Sequence, residues 1–169
     1  MEYNIEKVFK EKLKLLKDSE FLIAVSGGVD SMVLVNLFKK SDLNFSVAHC
    51  NFKLRSEESD LDQAFVKSWA VDNNQKYYST SFDTKEFCRY NKVGIQEGAR
   101  KLRYEWFYDL KEIYGFDYIV TAHHLNDQIE TYLINSMRGT GLSGLVGIPE
   151  KTDNLFRPLL NISKTEIEE

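Results

Sequence analysis

The chain has 169 residues, 26 acidic against 22 basic side chains, a net charge of −4 and an apolar share of 43%. That length suits one domain able to bury roughly 70% of its unfolded surface, and the apolar content excludes a disordered chain. The charge excludes a uniformly basic nucleic-acid binder, although a small basic face can coexist with an acidic remainder.

Elements alternate along the chain. Ile5 to Leu16 places Ile5, Val8, Phe9, Leu13 and Leu16 at helical spacing. Phe21 to Val25 is a short continuous apolar run, as in a strand buried on both faces, and it ends in Ser26-Gly27-Gly28. Ser31 to Lys40 reads as a helix and Asn44 to His49 as a second strand. Glu57 to Asp72 is expected to be helical, with Leu61, Ala64, Phe65, Ser68 and Trp69 on its stripe. Lys76 to Ser81 is a third strand. Gln96 to Ile113 is the longest helix, its stripe formed by Ala99, Leu102, Trp106, Leu110 and Ile113. Asp117 to Thr121 is a fourth strand and Asn126 to Met137 a further helix. Strands separated by helices predict right-handed crossovers and an α/β fold: a doubly wound, mainly parallel sheet with helices on both faces. No repeat or linker interrupts the pattern, so residues 1–169 read as a single domain. Ser163-Lys164-Thr165-Glu166 has the form of a capping box. The helix it opens is cut three residues later, so the chain is expected to be truncated at its C-terminus, the front of a longer protein.

Cys50 and Cys88 stand apart, in no C-x-x-C pair, which is neither a disulfide framework nor a zinc or iron–sulfur set. No apolar run approaches the ~20 residues of a membrane span, and Met1 to Lys17 lacks a signal-peptide core. A soluble, cytoplasmic protein with no membrane partner is expected.

The chemistry concentrates where strands end. Ser26-Gly27-Gly28-Val29-Asp30-Ser31 lies between a strand's carboxyl end and the next helix's N-terminus, where open α/β sheets bind ligands. Two glycines allow close approach of a phosphate, Ser26 and Ser31 offer hydroxyls, and the helix start offers unpaired N–H groups. The stretch is neither a Walker A loop nor G-x-G-x-x-G. An aspartate in an anion cradle needs a cation beside it, making Asp30 a candidate Mg2+ ligand. On pattern alone the stretch also reads as a tight turn with Asp30 or Ser31 as helix cap.

The six residues Ser-Gly-Gly-Val-Asp-Ser match the PP-loop of the ATP pyrophosphatases, and this stretch resembles that superfamily. The resemblance implies that the chain splits ATP between its α and β phosphates, with Ser26 to Ser31 holding pyrophosphate. Four later segments resemble the tRNA(Ile)-lysidine synthetases within it. The first is Ala48 to Asp60, where Phe52 stands at a position that is histidine in many members, and where Lys53 and Arg55 either meet phosphate or belong to a solvated loop. The second is Gly98 to Tyr104, whose Arg100 and Arg103 share a helix face, either gripping phosphate or RNA backbone or merely solvated. The third is Thr121 to Thr131, where Asp127 and Glu130 share the first turns of a helix. Such a pair can hold magnesium, handle an amine, or simply stabilise the helix dipole. Its two adjacent histidines point apart and make a poor zinc site. The fourth is Arg138 to Pro149, a glycine-rich loop that either orders around substrate or is a connector, followed by Phe156-Arg157-Pro158.

What the resemblance implies is lysidine formation in two steps. O2 of the wobble cytidine of an isoleucine tRNA attacks the α-phosphate of ATP, and free L-lysine then displaces AMP at C2. Asp30 serves the pyrophosphate, Asp127 and Glu130 the lysine ammonium, and Arg100, Arg103 and Arg138 phosphate or tRNA. A sulfur-inserting PP-loop tRNA enzyme, a nucleotide-binding module without catalysis and an inert RNA-binding fragment are the alternatives.

Overall fold

The computed structural model describes residues 4–55, 57–139 and 147–169. Its core is a five-stranded, all-parallel sheet in the order β3-β2-β1-β4-β5. The strands are β1 (Phe21–Ala24), β2 (Phe45–Asn51), β3 (Lys76–Ser81), β4 (Tyr118–Val120) and β5 (Leu155–Phe156). The helices are α1 (Ile5–Leu13, prolonged by a 3-10 turn over Lys14–Leu16), α2 (Val29–Lys40), α3 (Glu57–Asp72), α4 (Thr84–Asn91), α5 (Ile95–Tyr114), α6 (Leu125–Met137) and α7 (Lys164–Glu168). The doubly wound α/β arrangement expected from the alternation of elements is the one observed.

β1 occupies the middle of the sheet, and its sequence says why. Phe21, Leu22 and Ile23 are all fully buried, so side chains pointing to opposite faces must both meet apolar partners. On one face Phe21 and Ile23 join Phe9, Leu13, Leu34, Phe38, Val66, Phe156 and Ile167 from the surrounding elements. Phe38 is the hub there, with its ring edge-on to Phe9 at 5.2 Å, Phe21 at 5.0 Å and Phe45 at 5.9 Å. On the other face Leu22 meets Ala48, Phe107, Leu110, Phe116 and Ile119. The edge strand β3, Lys-Tyr-Tyr-Ser-Thr-Ser, is only partly covered.

Several sequence expectations need correction. The buried stripe of α3 is Val66 and Ala70, with Trp69 half-buried, while Leu61 and Phe65 are 68% and 51% exposed. The stripe is thus rotated by one residue from the expected one, because the sheet selects the face that carries the small Ala70. In α5 Phe107 is buried and Ile113 is 71% exposed, so the expected stripe overran the sheet edge. Helix α2 starts two residues early, with Gly28 as N-cap, so neither Asp30 nor Ser31 is the cap. The short α4 and the two-residue β5 were not anticipated. Asp83 caps α4 by accepting from the Glu86 backbone N–H at 2.9 Å. The Ser163–Glu166 capping box forms in both directions, and Ile167 of α7 packs into the core.

α4 and α5 meet at Gly98, where an added Cβ would fall 2.2 Å from Cys88 Sγ. Gly-to-Ala in a helix interior ordinarily gains up to about 1 kcal/mol, whereas overpacking costs about 1–3 kcal/mol. Gly98→Ala is therefore expected to destabilise the chain when Cys88 is present and to stabilise it in a Cys88→Ala background. Urea unfolding of the four members of this cycle would show the change of sign, and an additive cycle would show that the two residues do not collide.

Candidate active site

The sheet order reverses between β1 and β4, since β1 leads outward through β2 to β3 and the chain returns to β4 on the opposite side. At such a switch point the loops leaving adjacent strands diverge and leave a crevice at their carboxyl ends. A cavity of about 270 Å³ lies there. Val25, Ser26, Gly28, Asp30 and Ser31 supply one wall, and Thr121, Ala122, His123, His124 and Asp127 face them from the end of β4 and the start of α6. Ala24, Ala48, Cys50 and Phe107 make an apolar part, bordered by Phe52 and Arg103.

The glycine loop is shaped by its own side chains. Gly27 has φ +96°, a left-handed conformation that side-chain-bearing residues adopt only with strain. Ser31 Oγ donates to the Gly28 carbonyl at 2.8 Å and accepts from the Ser26 backbone N–H at 3.2 Å; Ser26 Oγ accepts from the Gly28 N–H at 3.3 Å. The serines expected to offer hydroxyls to a ligand thus serve first to fold the loop. What remains for an anion is the backbone: the first N–H groups of α2 have no partner within the helix.

Asp30 sits in the first turn of α2, its side chain 31% exposed, and Oδ1 is a buried oxygen with no hydrogen-bond partner. A phosphate oxygen about 4 Å away would be repelled by roughly 4 kcal/mol at an effective dielectric of 20. The helix dipole returns only ~0.3–1 kcal/mol. The unpartnered oxygen in a phosphate cradle fits a hard cation. No group of three or more His, Cys, Asp or Glu is placed to hold a metal among the described residues. Mg2+ is a hard cation that usually takes one or two carboxylates together with substrate phosphates.

Of the expected pair on α6, Asp127 lines the cavity and Glu130 is exposed outside its lining. Asp127 Oδ2 accepts from the His124 backbone N–H at 2.8 Å, fastening the helix start. The two histidines diverge. His123 Nδ1 lies 2.8 Å from Thr121 Oγ1. His124 is buried between Asp30 and Asp127, with Nε2 3.7 Å from Asp30 Oδ2 and Nδ1 3.4 Å from Asp127 Oδ2.

Arg103 reaches the cavity with its guanidinium 5.2 Å from the Phe52 ring centre, and Phe52 is stacked on Phe82 at 5.7 Å. Arg100 is exposed and lies over Tyr104 at 4.9 Å. Arg138 caps the far end of α6, roughly 16 Å along the helix from Asp127; Lys53 and Arg55 are exposed outside the cavity lining. The structure brings the glycine loop, Asp127 and Arg103 together and leaves Glu130, Arg100 and Arg138 outside the cavity. Residues 140–146 of the expected substrate loop, and Ser56, lie outside the described residues; Ile148 N–H donates to Gln128 Oε1 at 3.1 Å, in the first turns of α6. Cys50 and His124 lie in the segments Ala48 to Asp60 and Thr121 to Thr131, and they and Phe107 line the cavity without having been site candidates. Cys50 sits near the carboxyl end of β2, where an open α/β sheet binds ligands.

A family profile described as a PP-loop domain matches residues 1–169. The chain belongs to the PP-loop domain family. The domain is thus one that uses ATP. Among its relatives, a tRNA(Ile)-lysidine synthase of Bacteroides thetaiotaomicron is 40% identical over 96% of this chain and 38% of its own length. Those of Porphyromonas gingivalis and Chlorobaculum tepidum are 41% and 39% identical over 96% of this chain, and 35% and 50% of their own lengths. The chain therefore spans between about a third and half of the relatives it matches. The PP-loop fold is shared with a U34-tRNA thiolase of Methanococcus maripaludis, described with its [4Fe-4S] cluster (TM-score 0.78, 17% identity, 97% of this chain and 61% of that one). It is shared also with an NH3-dependent NAD synthetase of Campylobacter jejuni (TM-score 0.62, 18% identity, 96% and 67%).

The environment of His123 makes a measurable demand. Burial, followed by the Arg157 charge, pushes its imidazole down to about 4, against an upward pull from Asp127 and further downward pushes from Arg100 and Arg103. The unfolded chain takes up this proton near pH 6.5, and the folded one does so only near pH 4. The unfolded state therefore binds more protons in that window, so the fold loses stability as pH falls from about 6.5 to 4. His123→Gln is expected to flatten that limb of the stability profile. An NMR titration of His123 with a midpoint near 6.5 would contradict the assignment.

Proposed function

We propose that this domain carries the chemistry of lysidine formation: ATP-dependent adenylation of the wobble cytidine of an isoleucine tRNA, followed by lysine attack. The observation that carries this reading is 40% identity over 96% of the chain to a tRNA(Ile)-lysidine synthase, joined to a cavity that sets the glycine loop opposite Asp127.

In the first step O2 of the cytidine attacks the α-phosphorus of ATP and the bond to pyrophosphate breaks. The apolar part around Ala24, Ala48, Cys50 and Phe107 takes the adenine, and the N–H groups at the start of α2 take the departing phosphates. Asp30 would hold Mg2+, which would neutralise charge growing on pyrophosphate. Arg103, immobilised over Phe52, offers a guanidinium to the nucleotide or the RNA backbone. In the second step the ε-amine of lysine attacks C2, and the C–O bond to AMP breaks. Asp127, inside the cavity, takes the proton of the ammonium, and Glu130, one turn further along α6 and exposed outside the lining, draws the ammonium toward it.

The likeness to a tRNA thiolase suggests sulfur transfer as a second reading. A [4Fe-4S] cluster is held by cysteine thiolates, and this chain has only Cys50 and Cys88. Burial pushes the Cys50 thiol up to about 12, far from the thiolate a sulfur acceptor or ligand needs. The lysine reading is therefore preferred.

The direct test incubates the full-length chain with ATP, labelled lysine and tRNA. Label is expected in the RNA, and its absence with an active, folded protein would overturn the proposal. Asp30→Ala is expected to abolish ATP turnover without unfolding the domain; undiminished turnover in magnesium would remove Asp30 from the site. Glu130→Gln is expected to raise the lysine concentration needed for transfer, while the ~10²–10⁴ loss usual for a general base is expected of Asp127→Asn. Adenylation in the absence of lysine should be much less affected. Equal losses in both steps would assign Glu130 to ATP handling instead, and no loss would return it to the helix surface.

A further inference from the structure

His124 is a buried imidazole that neither the PP-loop nor the proposed transfer chemistry uses. An imidazole has two nitrogens, and here each faces a different carboxylate. Nε2 is 3.7 Å from Asp30 Oδ2 and Nδ1 is 3.4 Å from Asp127 Oδ2, with the side chain only 9% exposed. The backbone around it leaves little freedom. The His124 N–H is bonded to Asp127 Oδ2, the preceding β4 end is tied to β5 through Thr121 N–H to Phe156 O, and Leu125 N–H is tied to Ile162 O. The ring and Asp127 form a capping box at the start of α6, which accounts for the side of the ring that carries Nδ1 but not for Nε2, which faces Asp30. The two separations lie just beyond hydrogen-bond range, as contacts in a substrate-free site often do before they tighten.

We propose that His124 is a positioning residue that bridges the PP-loop helix to α6 and decides which oxygen of Asp30 faces the cation. With Oδ2 turned to the imidazole, Oδ1, the buried oxygen without a partner, is the one left for Mg2+. On the other side the same ring holds Asp127 Oδ2, so the acid that meets the amine stands at a set distance from the acid that meets pyrophosphate. Neither carboxylate can then swing onto the other's ligand. The Asp127 half of this assignment rests on the lysine-transfer reading, and the Asp30 half rests only on the PP-loop.

Two conservative variants separate the halves. The amide of His124→Asn falls near the position of Nδ1 and keeps the Asp127 contact alone. The amide of His124→Gln falls near Nε2 and keeps the Asp30 contact alone. In the full-length chain, the Mg2+ midpoint for binding a non-hydrolysable ATP analogue is measured by titration, beside the thermal midpoint without ligand. Partners of a metal-binding side chain commonly change metal affinity 10- to 100-fold. His124→Asn should raise the Mg2+ midpoint about tenfold, with the thermal midpoint held, while His124→Gln stays near the wild type. In single-turnover transfer from adenylated tRNA to lysine the order should reverse, with His124→Gln the slower. Unchanged Mg2+ midpoints in both variants would overturn the proposal, as would equal shifts that follow a fall in thermal midpoint. If the unaltered chain transfers no lysine, the lysine reading fails, and the Mg2+ titration still decides whether His124 positions Asp30.

Discussion

A carboxylate at the start of a helix that receives phosphate puts like charges into one turn. The repulsion of about 4 kcal/mol at contact distance is several times what a helix dipole gives back. Asp30 is nevertheless held there, with one oxygen buried and unpartnered. Under the proposed function, phosphate bound at that turn calls for a cation beside Asp30 to offset the repulsion. Much of the cavity follows from that constraint. The serines fold the loop and leave backbone N–H groups for the anion, and no lysine or arginine of the loop competes with the cation for Asp30.

The constraint also explains the place of the site in the sheet. A cradle of backbone N–H groups needs a helix start, and a second functional wall needs another strand end beside it. Only where the winding reverses do two neighbouring strands, β1 and β4, send their loops apart and leave room between them. The three buried apolar residues of β1 fix it in the centre of the sheet, and Phe38 locks α2 behind it. Core packing thus sets the direction from which the helix start meets the crevice.

How much of this was legible in the sequence depended on the range of the interaction concerned. The β1 run and the PP-loop are contiguous, and both read correctly because burial on two faces and the need for positive φ at Gly27 leave local marks. Helix α4 carries its own start signal in Asp83 and Glu86. Its eight residues bury too few side chains for periodicity to show it, and β5 is a strand only because β4 lies beside it. On α3 the larger Leu61 and Phe65 dominate the sequence pattern. The sheet instead takes Val66 and Ala70, which allow closer approach. The approach of His124 to Asp30 joins residues far apart in the chain, and nothing in either neighbourhood announces it. Arg100 and Glu130 show the reverse: a shared helix face placed them beside Arg103 and Asp127, but the helix turns them toward solvent.

The proposed reaction gives the closeness of the two acids a purpose. Both bond changes occur at one cytidine, where the oxygen that attacks phosphorus is attached to the carbon that the amine later attacks. An enzyme that handles both without moving the base must keep a cation-binding carboxylate and an amine-binding carboxylate within one cavity. Two acids that close would tend to share whichever cation arrives first, Mg2+ or ammonium, and the site would lose its distinction between steps. A ring with one nitrogen for each acid counters this. It faces one oxygen of each carboxylate, leaving the second free for a different ligand, and it does so from a backbone fastened to β4, β5 and the segment before α7. The order of the chemistry then follows from which ligand is present rather than from any movement of the fold.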